Sequence, residues 1–313
     1  MTDESETRTG VIGVGYLGQH HARIYSSMPG VKLVGVADIN KERADEIARA
    51  YSTTPFYDYR ELIGKVDAVS IVVPTVLHHK VAMDLISNDV DILLEKPITT
   101  TIAEAEELIR EAEGHSLILQ IGHLERFNAA MMALASIIKG PRFIESHRLG
   151  PFIDRGTDVS VILDLMIHDI DILLSLVASE VEEIRAVGVP VLSSDIDIAN
   201  ARIEFKSGCV ANVTASRISK EKMRKIRIFQ EDAYISLDYQ AQELFVYRKA
   251  GGDGLEKPKI AMDRIEVEKG EPLQAELTAF IDSVRRRTRP LVSGHEGKEA
   301  LRVALKVLGA IKK

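Results

Sequence analysis

The ten residues Thr9-Gly10-Val11-Ile12-Gly13-Val14-Gly15-Tyr16-Leu17-Gly18 constrain the fold more than any other stretch of this 313-residue chain. Residues 11–14 read as a short buried strand. Gly13, Gly15 and Gly18 fall at the spacing G-x-G-x-x-G, and residues 19–27 can carry a helix. In such a strand–turn–helix unit the first glycine permits the tight turn. The second lets backbone approach a pyrophosphate, and the third lets the helix pack close to the strand. The unpaired N–H groups of the first helical turn then face the phosphates, with Tyr16 and Leu17 beside them. The glycine pattern alone is weak, and its context decides. Residues 32–37 read as a second strand ending in Asp38. An acid there suits the 2′-hydroxyl of an adenosine ribose and repels a 2′-phosphate, which favours NAD over NADP. Arg43 pulls the other way, because a nearby arginine accommodates that phosphate.

Strands and helices go on alternating to residue 122. A helix is expected at 41–50 with Asn40 as its N-cap, and a helical turn at 60–63. An apolar strand at 67–73 ends at Pro74, and a helix at 76–87 follows. A strand at 90–94 leads into Glu95-Lys96-Pro97. Then come a helix at 101–113 and a strand at 117–121 closed by Gly122. This series predicts a doubly wound parallel sheet with right-handed crossovers, an NAD(P)-binding Rossmann domain over residues 1–122. After that the pattern changes. Residues 123–139 read as a helix, 142–152 as a strand and 159–177 as a long helix. Extended segments follow at 182–188, 199–205, 210–216, 225–230, 233–238 and 243–247, without helices between them. Such a run predicts an antiparallel sheet. Residues 206–208 suit a hairpin turn and 251–254 a surface loop, and helices at 273–287 and 296–311 follow. The fold class expected is α/β: an N-terminal Rossmann doubly wound parallel sheet plus a C-terminal α+β domain with an open, mostly antiparallel sheet. Residues 123–313 are the expected substrate-binding and oligomerisation domain.

Charge is divided unevenly. The net charge is −7; residues 1–122 hold 11 Lys and Arg against 19 Asp and Glu, and the remainder 29 against 28. Neither half looks like a nucleic-acid binder, and the less acidic second half is the easier place for an anionic substrate. No apolar run reaches the length of a membrane span, and residues 1–8 show no apolar signal region. The one cysteine, Cys209, excludes an intrachain disulfide and reads as a small core residue. These features together predict a cytoplasmic protein. Two basic runs, residues 217–227 and Arg285-Arg286-Arg287 with Arg289, read as solvated faces. The second lies at a helix C-terminus, where cations suit the helix dipole.

Two places carry chemistry. Lys96 falls at the C-terminal end of a predicted parallel strand, the edge where open α/β sheets bind ligands. It could hydrogen-bond a substrate hydroxyl or take its proton, or be an ordinary surface lysine. In Asp164-Leu165-Met166-Ile167-His168-Asp169-Ile170-Asp171, a helix puts Asp164, His168 and Asp171 on one face. A carboxylate one turn away can orient an imidazole and support its charged form, making His168 a candidate general base. A plain polar helix face is the alternative. A metal site is not expected, since no other His/Cys cluster accompanies the helix.

In their order, the glycine motif, Glu95-Lys96-Pro97 and the Asp164-x-x-x-His168 helix resemble the glucose-fructose oxidoreductase/inositol dehydrogenase/rhizopine catabolism family over essentially the whole chain. The resemblance implies Lys96, Asp164 and His168 as catalytic and substrate-binding residues. It places Pro74, Thr75, His78, Glu95 and Lys96 near the nicotinamide ribose. It also implies a homodimer or homotetramer formed through the C-terminal sheet. Many members carry Gly where this chain has Met166, and a Gly-rich lead-in where it has residues 156–161. Together with residues 122–128, this resembles a branch acting on sugar nucleotides, with Arg126, Asn128 and Arg155 as contacts for sugar or phosphate. The implied reaction is NAD-dependent oxidation of a sugar or sugar-nucleotide hydroxyl, for example the 3-hydroxyl of UDP-N-acetylglucosamine. Reduction of a keto sugar, imine or tetrapyrrole, and non-catalytic sensing of a metabolite, stay open as alternatives.

Overall fold

The computed structural model describes residues 6–152, 159–250 and 259–311. Its first sheet is built from β1 (Thr7–Ile12), β2 (Val31–Ala37), β3 (Thr54–Phe56), β4 (Ala68–Ile71), β5 (Asp91–Glu95) and β6 (Leu119–Gly122). All neighbours are parallel, in the order β3-β2-β1-β4-β5-β6. The order reverses between β1 and β4, so the strand ends there flank a switch point, the place where doubly wound sheets bind ligands. The strands are apolar on both faces because helices cover both. Those helices are α1 (Gly18–Ser27), α2 (Lys41–Ala50), α3 (His78–Ile86) and α4 (Ile102–Gly114). Asn40 caps α2 by accepting from the Arg43 amide, and Thr101 with Glu104 forms a capping box on α4.

The chain forms two units, one of residues up to Leu124 with Leu273–Lys298, the other of Glu125–Pro272 with Glu299–Lys313. A single cut at residue 122 therefore misses one feature. Helix α7 (Pro272–Arg286) returns to the first unit, where Leu277, Phe280, Ile281 and Val284 pack with Tyr25, Val11 and Leu93. The basic run at its end is exposed, as expected of a solvated face, and two of its arginines also reach back to the first sheet. Arg285 donates to Thr7 Oγ1 at 3.1 Å, and Arg287 Nη1 reaches both oxygens of the buried Asp91 at 2.7 Å.

The second unit holds an eight-stranded sheet. Its strands are β7 (Phe143–Leu149), β8 (Val181–Val189), β9 (Ile198–Phe205), β10 (Val210–Ser216), β11 (Met223–Gln230), β12 (Ala233–Asp238), β13 (Glu243–Ala250) and β14 (Lys259–Ile265). The order is β14-β13-β12-β11-β7-β10-β9-β8, and only the β7/β10 pair is parallel. Gly208, at φ +82°, makes the turn from β9 to β10. One face packs Ile144, Ile228, Ile235 and Val246 against α5 (Ala129–Ala135), α6 (Ile167–Leu176) and the second half of α8 (Gly294–Ala310). Cys209 belongs to this core, and burial pushes its thiol up to about 11.

Two expected helices are broken. Residues 123–139 divide into a 3₁₀ turn (Leu124–Phe127) and α5, because Asn128 leaves the helical conformation to cap α5. Residues 159–177 contain a π-turn (Ile162–Met166) running into α6. Strands β3 and β14 were not expected; β3 is three residues long, and β14 lies at a sheet edge with mostly exposed residues. The 251–254 loop lies outside the described residues.

Candidate active site

In the first unit the glycines act by space as well as by turn. Gly13 sits at φ +84°, and a Cβ there would overlap the Val72 carbonyl. A Cβ on Gly18 would overlap the Gly13 carbonyl, whereas one on Gly15 would meet nothing within 4 Å. Gly15 thus faces open space at the mouth of α1, the cradle that a diphosphate needs. Tyr16 and Leu17 lie exposed beside it at 60% and 48%. Asp38 follows β2. Its Oδ2 accepts from the Val14 amide and its Oδ1 from the Asn40 amide, each at 2.9 Å. These bonds fix the carboxylate where a ribose hydroxyl would be recognised. Ile39, next to it, is 92% exposed.

Arg43 turns inward. Nε donates to the Val14 carbonyl at 2.8 Å, Nη2 to Gln19 at 2.9 Å and Nη1 to Glu46 at 2.7 Å. It braces the glycine loop, and its charge already has a partner. The NAD expectation is therefore reinforced at the residue that argued against it.

At the ends of β4 and β5, Pro74 is exposed and Thr75 opens a short 3₁₀ turn. His78 is enclosed by the fold. It is 1% exposed, with Nδ1 2.8 Å from the Pro97 carbonyl and Nε2 2.9 Å from the Val73 carbonyl. Burial holds this imidazole below its ordinary value, against the pull of the two carbonyls. Both nitrogens face backbone carbonyls, and the ring clasps the end of β4 to the segment after Lys96. The Lys96–Pro97 peptide is cis. Lys96 is half-buried, and its amide donates to the Glu95 carboxylate at 3.2 Å.

In the second unit, Asp164 lies in the π-turn and His168 in the first turn of α6, both half-buried. Asp164 reaches α6 through the wider turn, whereas His168 and Asp171 stand three residues apart within it; Asp171 is 2% exposed and pairs with Arg126 at 3.4 Å. π-turns recur at functional sites, where they re-aim side chains. Met166 is fully buried in the core. Asp169, beside His168, accepts from Ser146 Oγ at 2.6 Å and from Arg148 Nε at 2.7 Å. Arg148 also donates to Glu125 at 2.9 Å, and its guanidinium lies 5.7 Å from the Tyr239 ring centroid. Burial works against the charge of Arg148, but Asp169 and Glu125 outweigh it and hold it charged. The same burial, with Asp169 and Glu125 nearby, pushes the Tyr239 phenol well up. This network anchors α6, and sequence reasoning missed it, because Arg148 sits 20 residues from His168 with no local signal.

Asn128 is likewise enclosed. It is 1% exposed; Oδ1 caps α5 and Nδ2 donates to the Tyr239 carbonyl at 3.0 Å. Its amide is engaged within the fold. Arg155 lies outside the described residues. Among the described residues, no group of three or more His, Cys, Asp or Glu is placed to hold a metal ion, and no helix is long and apolar enough to cross a membrane.

Comparison with known proteins agrees with this layout. Residues 7–123 match the oxidoreductase family with an NAD-binding Rossmann fold, and residues 134–236 match the GFO/IDH/MocA C-terminal domain. The chain is 39% identical over 305 residues to UDP-N-acetylglucosamine 3-dehydrogenase of Acidithiobacillus ferrooxidans, covering 97% of each. The solved structure of that enzyme superposes with a TM-score of 0.91 at 38% identity, again over 97% of each chain. An NAD(+)-dependent scyllo-inositol 2-dehydrogenase of Bacillus subtilis is 32% identical over 243 residues, 69% of each chain. Scyllo-inositol dehydrogenase of Lactobacillus casei, solved with NAD(H) and scyllo-inositol, shares the fold at a TM-score of 0.82 and 18% identity, over 97% of this chain and 96% of its own. By both of its halves, the chain belongs to the GFO/IDH/MocA family of NAD-binding oxidoreductases.

Proposed function

We propose that this protein is an NAD-dependent dehydrogenase that oxidises the 3-hydroxyl of UDP-N-acetylglucosamine to a ketone. The observation that carries the reading is the similarity to the Acidithiobacillus enzyme across 97% of both chains, with Lys96, Asp164 and His168 all present. Gly13, Gly15, Gly18 and the loop residues Tyr16 and Leu17 would cradle the cofactor diphosphate. Asp38 would take the adenosine ribose, and Pro74, Thr75, Glu95 and Lys96 the nicotinamide ribose. When bound, NAD accepts the hydride from the carbon being oxidised. The residues of the chain handle the proton. Lys96 or His168 takes it from the substrate hydroxyl, and Asp164 orients His168 and supports its positive form. Arg126, already paired with Asp171, is a described candidate for the sugar or phosphate.

Catalysis of this type needs no metal and no covalent intermediate; the protein supplies position and charge. A panel of UDP-sugars, free sugars and inositols, followed by NAD reduction, tests the proposal. Turnover highest with UDP-N-acetylglucosamine, giving a 3-keto product, is expected. Turnover of inositols alone overturns the substrate.

The protein is further proposed to work in the cytoplasm as a homodimer or homotetramer through its second sheet. What supports this is the outer face. Phe143, Phe229, Tyr234 and Tyr247 stack across four strands at 5.6, 4.9 and 5.0 Å between ring centroids, and Met262 extends the row. A part-exposed apolar row of this length on an open sheet favours a partner. Light scattering that shows a monomer for the wild-type chain overturns it.

A further inference from the structure

A second carboxylic acid lies behind Glu95, and nothing in the reaction scheme uses it. Glu276, on α7, is fully buried, and neither carboxyl oxygen has a hydrogen-bond partner among the described residues. Its neighbours come from three elements: Tyr25 of α1, Glu95 of β5 and Gln120 of β6. Behind Glu95 and Tyr25 lie their own partners, His21 and the Lys96 amide for the one and Ser70 for the other. Tyr25 and Ser70 hydrogen-bond each other at 2.9 Å, so neither hydroxyl is committed to Glu276. Gln120 donates from Nε2 to the Glu276 backbone carbonyl at 3.2 Å, which places its side chain at the foot of the acid.

Glu95 is treated differently. Its Oε1 lies 3.4 Å from His21 Nε2, and its Oε2 receives the Lys96 amide at 3.2 Å. β6 makes room for it: a Cβ at Gly122 would come within 3.1 Å of the Glu95 carboxyl. One carboxyl therefore has an imidazole, an amide and a lysine to hold its charge, and the other has none. Two neighbouring carboxyls, with the counter-groups all on one of them, cannot both ionise cheaply.

We propose that Glu276 is a positioning residue, an uncharged acid whose neutrality leaves Glu95 as the one anion of the cluster, aligned by His21 with the backbone of Lys96. Burial, and then the charge of Glu95, push Glu276 well above the usual carboxyl range. Burial also acts on Glu95, but His21 and then Lys96 outweigh it and hold Glu95 below that range. The consequence at the cofactor is electrostatic and rests on the NAD reading above. The oxidised nicotinamide ring is cationic and the reduced ring neutral. One buried negative charge at the end of β5 favours the oxidised form, and a second, from ionised Glu276, favours it further while straining the fold.

The test begins without cofactor. Infrared spectroscopy of the wild-type apoprotein at pH 7 is expected to show the carbonyl stretch of a protonated carboxyl that is lost in Glu276→Gln and in Glu276→Met. Its absence from the wild type overturns the proposal, whether or not the variants fold. Melting points across pH 6 to 9 form the second arm. Glu276 has a raised value in the fold, so its contribution to stability is present in acid and lost as pH rises. Glu276→Gln has no proton to lose. Its melting point is expected to gain on the wild type by about 3 °C or more by pH 9; a constant difference overturns the assignment. The last arm compares binding of NAD⁺ and NADH. In the wild type the preference for NAD⁺ is expected to grow about threefold or more from pH 7 to 9, and in Glu276→Gln to stay flat. The same pH dependence in both proteins overturns the positioning role. Failure of the wild type to bind either form overturns the NAD reading instead, and leaves the infrared and melting results standing.

Discussion

Each unit of this protein buries a polar cluster beside one proposed catalytic group, and the two clusters solve the same problem in opposite ways. Around α6, the carboxylates of Glu125, Asp169 and Asp171 face Arg148, Arg126 and the half-exposed Arg224. Every acid there has a cation. Behind Lys96, Glu95 holds the one imidazole, and Glu276 has no hydrogen-bond partner among the described residues. The first arrangement satisfies charge by pairing, the second by keeping a proton. A paired cluster is rigid and indifferent to pH near neutrality. A proton-keeping cluster can change its charge in response to what binds beside it. The difference suits the proposed tasks: α6 must hold an imidazole still, whereas the end of β5 must accommodate a ring that changes charge in every turnover.

The largest expected effects fall on the groups that the clusters support. His168→Ala and Lys96→Ala should each lower kcat about 10²- to 10⁴-fold, the usual share of a positioned acid or base. If NAD titrations show unchanged cofactor affinity in His168→Ala and weakened affinity in Lys96→Ala, the two groups divide as proposed. Full turnover in either variant removes that residue from the scheme.

Next comes the paired cluster itself. Arg148→Met leaves Asp169 and Glu125 buried without their shared cation, and breaking such a pair costs about 3–5 kcal/mol. Urea unfolding measures it; a loss under about 1 kcal/mol would show that the pairing idea is wrong. The partner test is Arg148→Met with Asp169→Asn and Glu125→Gln, which should recover part of the loss because no charge is then stranded.

The two units should also fail at opposite ends of the pH scale. In the second unit, Asp197 is fully buried and accepts from the amides of Val191, Leu192 and Ser193 at 2.8, 2.6 and 2.9 Å and from Ser193 Oγ at 2.6 Å. Burial opposes its charge, but these donors win and hold it far below the usual carboxylate range. A lowered value contributes stability above the unfolded value, about 3.9, and that stability is lost as pH falls through the folded one. Asp197→Asn should therefore cost about 1.5–3 kcal/mol at pH 7, with the gap to wild type closing below about pH 4. Glu276 in the first unit predicts the reverse, a gap that opens in alkali. Hydrogen exchange resolved by peptide would separate the two units, and parallel losses in both at either extreme would dissolve the contrast.

What could be read from the chain differs between the units for the same reason. The glycine loop, Asp38, and the Asn40 and Thr101 caps are local: each function needs particular residues at fixed short spacing, so the pattern is visible in order. Lys96 is nearly as local, because an apolar run followed by Pro97 marks a strand end. The surroundings of His168 are not. Arg148 arrives from β7 and Tyr239 from the end of β12, and only sheet register brings them to Asp169. The π-turn is equally silent, since apolar spacing over residues 159–177 fits an ordinary helix. The structural work of Asn128 and His78 was hidden for a related reason. Both are polar residues in ligand-like motifs, yet each spends its side chain on backbone, the task polar residues perform whenever they are buried.

The smallest effect is the one that separates the two halves of the nucleotide reading. Arg43 was the residue that argued for a 2′-phosphate, and it is engaged by Val14, Gln19 and Glu46. Arg43→Ala should raise the KM for NAD only a few-fold, about 1 kcal/mol or less, by loosening the glycine loop, a loss typical of one hydrogen-bonded brace. It should leave the preference over NADP intact. Asp38→Ser, by contrast, removes the charge that repels a 2′-phosphate and should narrow that preference about tenfold or more. If instead Arg43→Ala selectively abolishes activity with NADP while Asp38→Ser changes nothing, Arg43 leaves Glu46 to meet the phosphate. The strand end after β2 would then be as responsive to its ligand as the one after β5.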